Sequence, residues 1–433
     1  MNNLIFKNFK KVKLKLSFYV FILGLFLLPS AFSIAALLIL ISLIINTKII
    51  IQTFSSDKWI SFFFAASILM IISCLMNTFF NDHLTKFNID SSLTWIGLAN
   101  WLPFFWCYIG FKSFLDTPLK RKVSSLSLFC GTFPVLITGI GQYFFNWYGP
   151  FEFLNGLIVW YQRPIENFSG LTGLFNNANY MGSWLNVIWP TALACLIESN
   201  KNIISNFANY IFAAGLSIST IFTFSRAAWL GIIIGTLFMY GNRIYKYLIS
   251  LILFISLLIS STILPIFGLG VQTFLQSLVP QSILMKFINF QYSRIGIWKS
   301  GFKAVYNNPV FGSGAGSFPE IFKSEHGIWK GHAHNLPLEL IISYGIPVGI
   351  LIIAPIINIA YLSVKKCFLN TNRLTIFDKS WITSLIVLLI SQMVDIQYFD
   401  GRISIVMWLL ISGSSNIINE NNNKNGKLFN SKN

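Results

Sequence analysis

Long apolar runs separated by short polar breaks dominate this chain. They lie near residues 16–29, 31–47, 58–78, 92–112, 123–144, 179–197, 206–224, 226–241, 247–266, 336–364, 380–396 and 402–416. Most approach the roughly 20 residues that cross a bilayer core as a helix. The pattern therefore predicts an all-α polytopic membrane protein of about twelve transmembrane helices. Pro29-Ser30 divides the first two runs and Ser225-Arg226 the seventh and eighth, so either pair could be one kinked helix. The stretch Lys7–Lys15 followed by an apolar run has the outline of a signal peptide. No small-residue cleavage site follows, and the run continues past Pro29, so it reads as a retained first span.

Two connections, 145–178 and 267–335, are long, and connections of that length are usually functional or disordered. The second reads as an amphipathic helix from Leu284 to Asn307, with Phe287, Ile295, Trp298, Phe302 and Val305 near helical spacing. Arg294 and Trp298 fall one turn apart on it. Asn308-Pro309 stops that helix and a Gly-rich turn follows. The chain thus divides into a bundle of nine spans (1–266), an external loop (267–335), three more spans (336–416) and an Asn- and Lys-rich tail (417–433) expected to be disordered.

Composition agrees: the chain is 55% hydrophobic and only 10% charged, with a mean hydropathy of +0.66. A net charge of +17 could suggest nucleic acid, but the basic residues lie in short loops between apolar runs. Lipid headgroups and insertion topology account for that placement better. With the N-terminus cytoplasmic, about 21 of the 31 Lys and Arg fall inside, among them Lys10-Lys11, Lys120-Arg121-Lys122, Lys365-Lys366 and Arg373. Both termini are then cytoplasmic, and the two long connections are external. Cys74, Cys107, Cys130 and Cys195 sit in apolar runs and Cys367 follows Lys365-Lys366, a spacing that suggests neither a disulfide framework nor a zinc site.

Chemistry concentrates between Arg294 and Gly345, where three of the four histidines (His326, His332, His334) precede an apolar run. Ionisable groups held beside a bilayer are a site hypothesis by default. His332-Ala333-His334-Asn335 suits general-base work on a hydroxyl; it also suits a histidine pair satisfied by backbone at a helix start with Asn335 as cap. His-x-His near Glu325 can ligate zinc, but no Asp-rich pair accompanies it. Arg226, beside Trp229, has no acidic neighbour in sequence. It either snorkels to the interface or grips an anion with its planar fork. Arg294, among Lys286, Lys299 and Lys303, offers the same choice. Gly312-Ser313-Gly314-Ala315-Gly316 could bring backbone amides to an anion or simply form a tight turn. In the other long loop, Arg163 and the run Gly170–Asn179 could line a sugar-binding cleft. Asp395, Tyr398, Asp400 and Arg402 bracket the external end between the last two runs, where Asp400 and Arg402 could pair.

On these residues the chain resembles the O-antigen ligase and polymerase superfamily, which includes lipopolysaccharide ligases and related oligosaccharyltransferases. The matching pieces are Ser225–Gly231, Arg294–Trp298, Asn308-Pro309 leading to Gly312–Gly314, and His334-Asn335 with Glu339 and Gly345. The related region runs from about 206 to 363. Gly170–Asn179 looks like the family's Gly-x-Phe-x-Asn-Pro-Asn stretch, with Ala178 at the proline position. The resemblance implies about twelve spans with a large external loop late in the chain. It implies metal-independent transfer of a glycan from a polyprenyl-pyrophosphate carrier to an acceptor hydroxyl on lipid, glycan or protein, at the periplasmic face of a bacterial inner membrane. It also implies pyrophosphate binding by Arg226 and Arg294, catalysis by His334, and no cofactor. Arg163, Asn179, His332, Asn335 and Arg402 are further candidates for substrate binding. The Asp395–Arg402 segment, with Tyr398-Phe399-Asp400-Gly401-Arg402, is similar to a cyanobacterial subset labelled as bicarbonate transporters. That alternative calls for discontinuous helices around a polar midplane site, whereas the polar residues here gather at one face.

Overall fold

The computed structural model describes residues 16–47, 50–51, 57–80, 89–165, 169–198, 203–241, 245–263, 266–278, 294–369 and 374–429. Over these the chain is a largely α-helical, polytopic membrane protein. The helices are α1 (Leu16–Leu27), α2 (Phe32–Ile45), α3 (Ile60–Phe79), α4 (Ser91–Ile96), α5 (Leu102–Lys112), α6 (Pro118–Gly131) and α7 (Phe133–Phe144). A hairpin of β1 (Phe151–Phe153) and β2 (Ile158–Trp160) follows, pairing Phe151 with Trp160. Then come α8 (Ala178–Glu198), α9 (Ile203–Phe222), α10 (Arg226–Tyr240), α11 (Tyr245–Ile263) and α12 (Leu269–Leu278). The last six are α13 (Arg294–Asn307), α14 (Phe318–His326), α15 (Leu336–Tyr344), α16 (Ile346–Leu369), α17 (Ile376–Gln392) and α18 (Gly401–Phe429).

Among the described residues, five helical segments are long and apolar enough to cross a membrane: Ile60–Phe79, Pro118–Phe144, Ala178–Glu198, Ile346–Phe368 and Gly401–Glu420. Leu16–Leu27, Phe32–Ile45 and Arg226–Tyr240 are shorter apolar helices. Proline explains much of this difference from uninterrupted runs. Pro103, Pro118, Pro134 and Pro337 each occupy the first turn of a helix, where a missing N–H costs nothing. The run 92–112 accordingly becomes α4, a 3-10 turn (Gly97–Asn100) and α5, while 336–364 breaks at Gly345. Gly345 has φ +90, and a Cβ there would lie 2.0 Å from the Val310 carbonyl oxygen, so only glycine fits. α18 extends to Phe429, and Glu420 on it reaches Arg121.

α8 is the central element, packed against α6, α9, α10 and α17, and α18 lies against α5, α16 and α17. Trp184, Trp381 and Trp408 are fully buried between them. Each indole N–H finds a partner, donating respectively to Thr132 Oγ1 (3.0 Å), the Leu410 carbonyl (3.0 Å) and Tyr398 Oη (2.9 Å). Small residues let the backbones approach. Ser384 donates across to the Val187 carbonyl at 2.6 Å, and Gly413 lies directly against the Trp381 ring.

Charge is more deeply buried than the run pattern suggests. Arg121 is fully buried and bonds Asp378 (2.6 Å) and Glu420 (2.7 Å), while Lys122 meets Glu198 at 2.6 Å. These groups belong to the start of α6, the start of α17, and the ends of α8 and α18. The opposite end of the same helices presents the start of α8, the start of α10 and the end of α17. That is the end where the histidines lie.

Candidate active site

The segment 294–345 builds a small core of its own. Ile297, Ala304, Phe318, Ile321, Phe322, Ala333, Leu338 and Ile342 form it, with Trp298 and Val305 at its edge. The described half of the expected amphipathic helix, Arg294–Asn307, is helical, whereas Phe287 and the rest of 284–293 lie outside the described residues. Its packed face is built largely from small residues. Ile295 and Phe302 are 74% and 64% exposed, and the small residues Gly301 and Ala304 turn inward instead. Gly301 is what fits beneath Leu338, whose Cδ2 would lie 2.8 Å from an added Cβ. Docking on α15 brings Arg294, the first residue of α13, toward the histidine loop.

The Gly-rich turn seals the break at Gly345. Gly312 has φ +64 and its neighbours' amides point at α15: Ser313 N–H donates to the Ile342 carbonyl (2.7 Å) and Gly314 N–H to that of Ser343 (3.1 Å). Ile346 N–H donates to the Pro309 carbonyl at 2.8 Å. These amides are consumed in satisfying a helix end. The Ser313 and Gly314 amides therefore serve the helix end rather than an ion.

α15 begins with Asn335 as its cap, accepting from Leu338 N–H at 2.9 Å. The Asn335 amide also donates to the Met393 carbonyl at 2.9 Å. Its Oδ1 and one of its two amide N–H groups thus serve the fold. Glu339, buried one turn later, accepts the Ala333 N–H at 2.7 Å and ties the histidine loop to α15. His334 takes φ +52, an uncommon conformation for a side chain with a Cβ. Such backbone persists only where its surroundings hold it. Its own N–H donates to His332 Nδ1 at 3.1 Å, and the two rings meet edge to face, 4.4 Å apart at 67°.

His334 Nδ1 lies 2.7 Å from Asp395 Oδ1, and Asn179 Nδ2 donates to Asp395 Oδ2 at 2.7 Å. A carboxylate only accepts, so Nδ1 carries a proton toward Asp395, and in the neutral ring Nε2 then keeps its lone pair. Nε2 has no hydrogen-bond partner among the described residues. Asn179 is placed by the Gly170–Asn177 loop, which Gln142 anchors by accepting from Thr172 N–H (3.1 Å) and Gly173 N–H (2.9 Å). Most of that loop, including Leu171, Leu174 and Phe175, is buried.

The charges converge on the same place. Burial raises the Asp395 carboxyl, but its bond to His334 and the positive field of His334, His332 and Arg294 prevail and hold it below its ordinary value. Burial lowers Arg294; Asp395 opposes this and the Arg226 guanidinium adds to it. Arg226 heads α10 after a tight turn in which Phe224 has φ +51, and it is exposed. His332 is pushed down to about 4, chiefly by burial and then by His334, with Arg294 adding to it against Asp395. It is therefore neutral near pH 7, as its acceptor role requires. Arg226, Arg294, His332, His334, Asn179 and Asp395 thus form one constellation.

Two expected members stand apart. The side chain of Arg163 is exposed; its backbone N–H donates to Thr172 Oγ1 (3.2 Å) and its carbonyl accepts from Gln142 (2.6 Å). No contact joins its guanidinium to the cluster among the described residues. Arg402 is locked by Asp400, with Nε to Oδ1 at 2.8 Å, and stacks over Phe175 at 3.9 Å. His326 bonds Ser300 Oγ at 2.9 Å, outside the constellation. The residue whose role the chain pattern did not reveal is Asp395. Its position in a polar end between two apolar runs was the only signal.

The ligand atoms of His332, His334 and Asp395 lie within 4.8 Å of one another, a grouping that could also hold a cation. A metal would have to displace the His334–Asp395 bond beside a guanidinium already drawn to Asp395.

The depressed His332 value makes stability depend on pH. The unfolded chain takes up this proton near 6.5, the folded protein only near 4. Stability is therefore full above about 6.5, declines as pH falls toward 4, and declines no further from this source below that. The expected result is a thermal midpoint in detergent that drops across this window, with a shallower drop in His332→Gln. Equal slopes in the two proteins would refute it.

Fold and site together define a multi-pass membrane protein with a histidine–carboxylate pair beside two arginines at one end of its bundle. A family model described as O-antigen ligase (Wzy_C) matches residues 211–353, the segment that carries Arg226, Arg294, His332 and His334. No curated protein matches the chain.

Proposed function

We propose that this protein is a membrane glycosyltransferase of the O-antigen ligase and polymerase type, transferring a glycan from a polyprenyl pyrophosphate to an acceptor hydroxyl. One observation carries the reading: His334, oriented by Asp395, shares its site with Arg294 and Arg226 inside the segment that the ligase family model matches. The acceptor oxygen attacks the anomeric carbon while its proton passes to His334 Nε2. The anomeric C–O bond breaks, its electron pair leaves on the pyrophosphate, and Arg226 and Arg294 receive the developing charge. Asp395 holds the imidazole in the required tautomer and stabilises the imidazolium that forms. The products are the extended acceptor and free polyprenyl pyrophosphate. His334 afterwards returns its proton to solvent.

A pyrophosphate is already a competent leaving group, so placing the acceptor and neutralising phosphate charge is sufficient and no metal is required. In this reading the chain spans a bacterial inner membrane about twelve times, with both termini cytoplasmic and 267–335 as the periplasmic loop. The buried basic network and the histidine constellation lie at opposite ends of the bundle, which supports that orientation.

Cells carrying His334→Ala should show shortened or unligated surface glycan and accumulate the loaded carrier. The purified protein should keep its transfer rate after exhaustive chelation. Unchanged glycan and carrier pools in His334→Ala overturn the assignment, and activity lost to chelator and restored by a divalent ion overturns the metal-free mechanism.

A further inference from the structure

Beside the constellation lies a polar cavity of about 460 Å³ that the proposed transfer does not use. The α1–α2 turn, the β1–β2 hairpin, the start of α8 and the α17–α18 connection wall it. Tyr161, Asn176, Tyr180, Phe399, Asp400 and Arg402 carry its chemistry. Its volume falls within the usual range of small-molecule sites. Tyr180 directly follows Asn179, which holds Asp395, and the charges of Asp395, Asp400 and Arg402 all act on the Tyr180 hydroxyl. The cavity and the His334–Asp395 pair are therefore neighbours across one helical start.

Its electrostatics exclude an anion as the preferred guest. Both Asp400 oxygens are taken by Arg402, leaving a neutral pair, and the guanidinium carbon lies 3.9 Å from the centre of the Phe175 ring. An unpaired cation, which a second phosphate would need, is missing from the lining. The cavity offers instead fixed hydrogen-bonding groups from Asn176, Tyr180 and the Asp400–Arg402 pair. Tyr161 and Phe399, 44% and 40% exposed, add open aromatic surface. Hydrogen-bonding groups beside an apolar aromatic face match a sugar ring, whose hydroxyls lie at its edge and whose C–H bonds form its faces.

We infer that this cavity is a neutral-saccharide subsite that holds the acceptor glycan next to His334. The inference rests on the transferase reading for its purpose, but saccharide binding is measurable without transfer. Saturation-transfer NMR on the purified full chain would use three probes: the methyl glycosides of glucose, galactose and N-acetylglucosamine. Inorganic pyrophosphate would serve as competitor.

At least one glycoside should bind, and Tyr161→Ala and Asn176→Ala should each weaken it about tenfold with an unchanged thermal midpoint. His334→Ala should leave binding intact, and pyrophosphate should not compete. Absence of binding by all three glycosides overturns the inference, as does binding indifferent to both cavity substitutions or displaced by pyrophosphate. Glycoside binding that follows the cavity residues in a protein inactive in transfer would sustain this subsite while removing the transferase reading.

Discussion

Replacing His334 with alanine should lower the proposed rate of glycan transfer by about 10²–10⁴-fold, the usual contribution of a positioned general base. On the proposed mechanism the acceptor alcohol is then left to lose its proton to water, while carrier binding, assigned there to the arginines, should persist. Asp395→Asn is the more revealing substitution. Asparagine preserves the shape that meets Asn179 and His334 but presents an amide where Oδ1 or Oδ2 now accepts. If the amide nitrogen faces His334, the ring must turn its proton outward to Nε2 and lose its basic lone pair there. If the amide oxygen faces His334, the tautomer survives, but the negative charge that stabilises the imidazolium is gone. Both outcomes depress turnover with the fold intact, and neither depends on burial of the pair. A steady-state comparison of kcat and carrier KM decides the matter: the account expects the loss in kcat. Full activity in Asp395→Asn would mean that the 2.7 Å contact is structural only.

Arg294→Ala and Arg226→Ala should each reduce kcat by about 10²–10³-fold, the cost of removing one donor from a site where charge develops. Lysine at either position should restore part of the activity, because it returns the charge but not the planar fork that engages two phosphate oxygens at once. The two losses should not add, since each guanidinium acts on the same leaving group. A surface role in lipid anchoring predicts otherwise, namely lower membrane affinity or stability with kcat preserved in the remaining folded protein. Arg226 is exposed and Arg294 half-buried beside it. A structural collapse is therefore not expected to obscure the result at Arg226.

Local signals made much of this architecture legible. Asn335-Leu336-Pro337 announces a capped helix with proline in its first turn, and that is what forms. Asn308-Pro309 and the glycines after it mark the end of α13 and a tight turn. The apolar runs coincide with helices throughout the described residues, although Pro134 and Gly345 interrupt runs that average hydropathy treats as continuous. What stayed hidden is long-range pairing. Asp395 meets His334 across 61 positions and Asn179 across 216, and no local pattern encodes either partner. Arg121 illustrates the same point at the other end of the bundle. Between two lysines it reads as a loop charge marking the cytoplasmic side, yet Asp378 and Glu420 draw it fully into the interior. Which face of α13 packs was equally hidden: Gly301 and Ala304 make the close approach to α15, and Ile295 and Phe302 stay exposed.

The proposed reaction turns on a single event: departure of a prenyl diphosphate as a hydroxyl surrenders its proton to His334. Purified protein in liposomes, supplied with a synthetic prenyl-diphosphate-linked oligosaccharide and an acceptor glycan, reports that event directly as carrier released per glycan joined. The two products should appear in equal amounts with the native chain and should fall to background when alanine stands at 334. Undiminished joining by that variant, or uptake of labelled bicarbonate with no carrier set free by the native chain, would contradict the account.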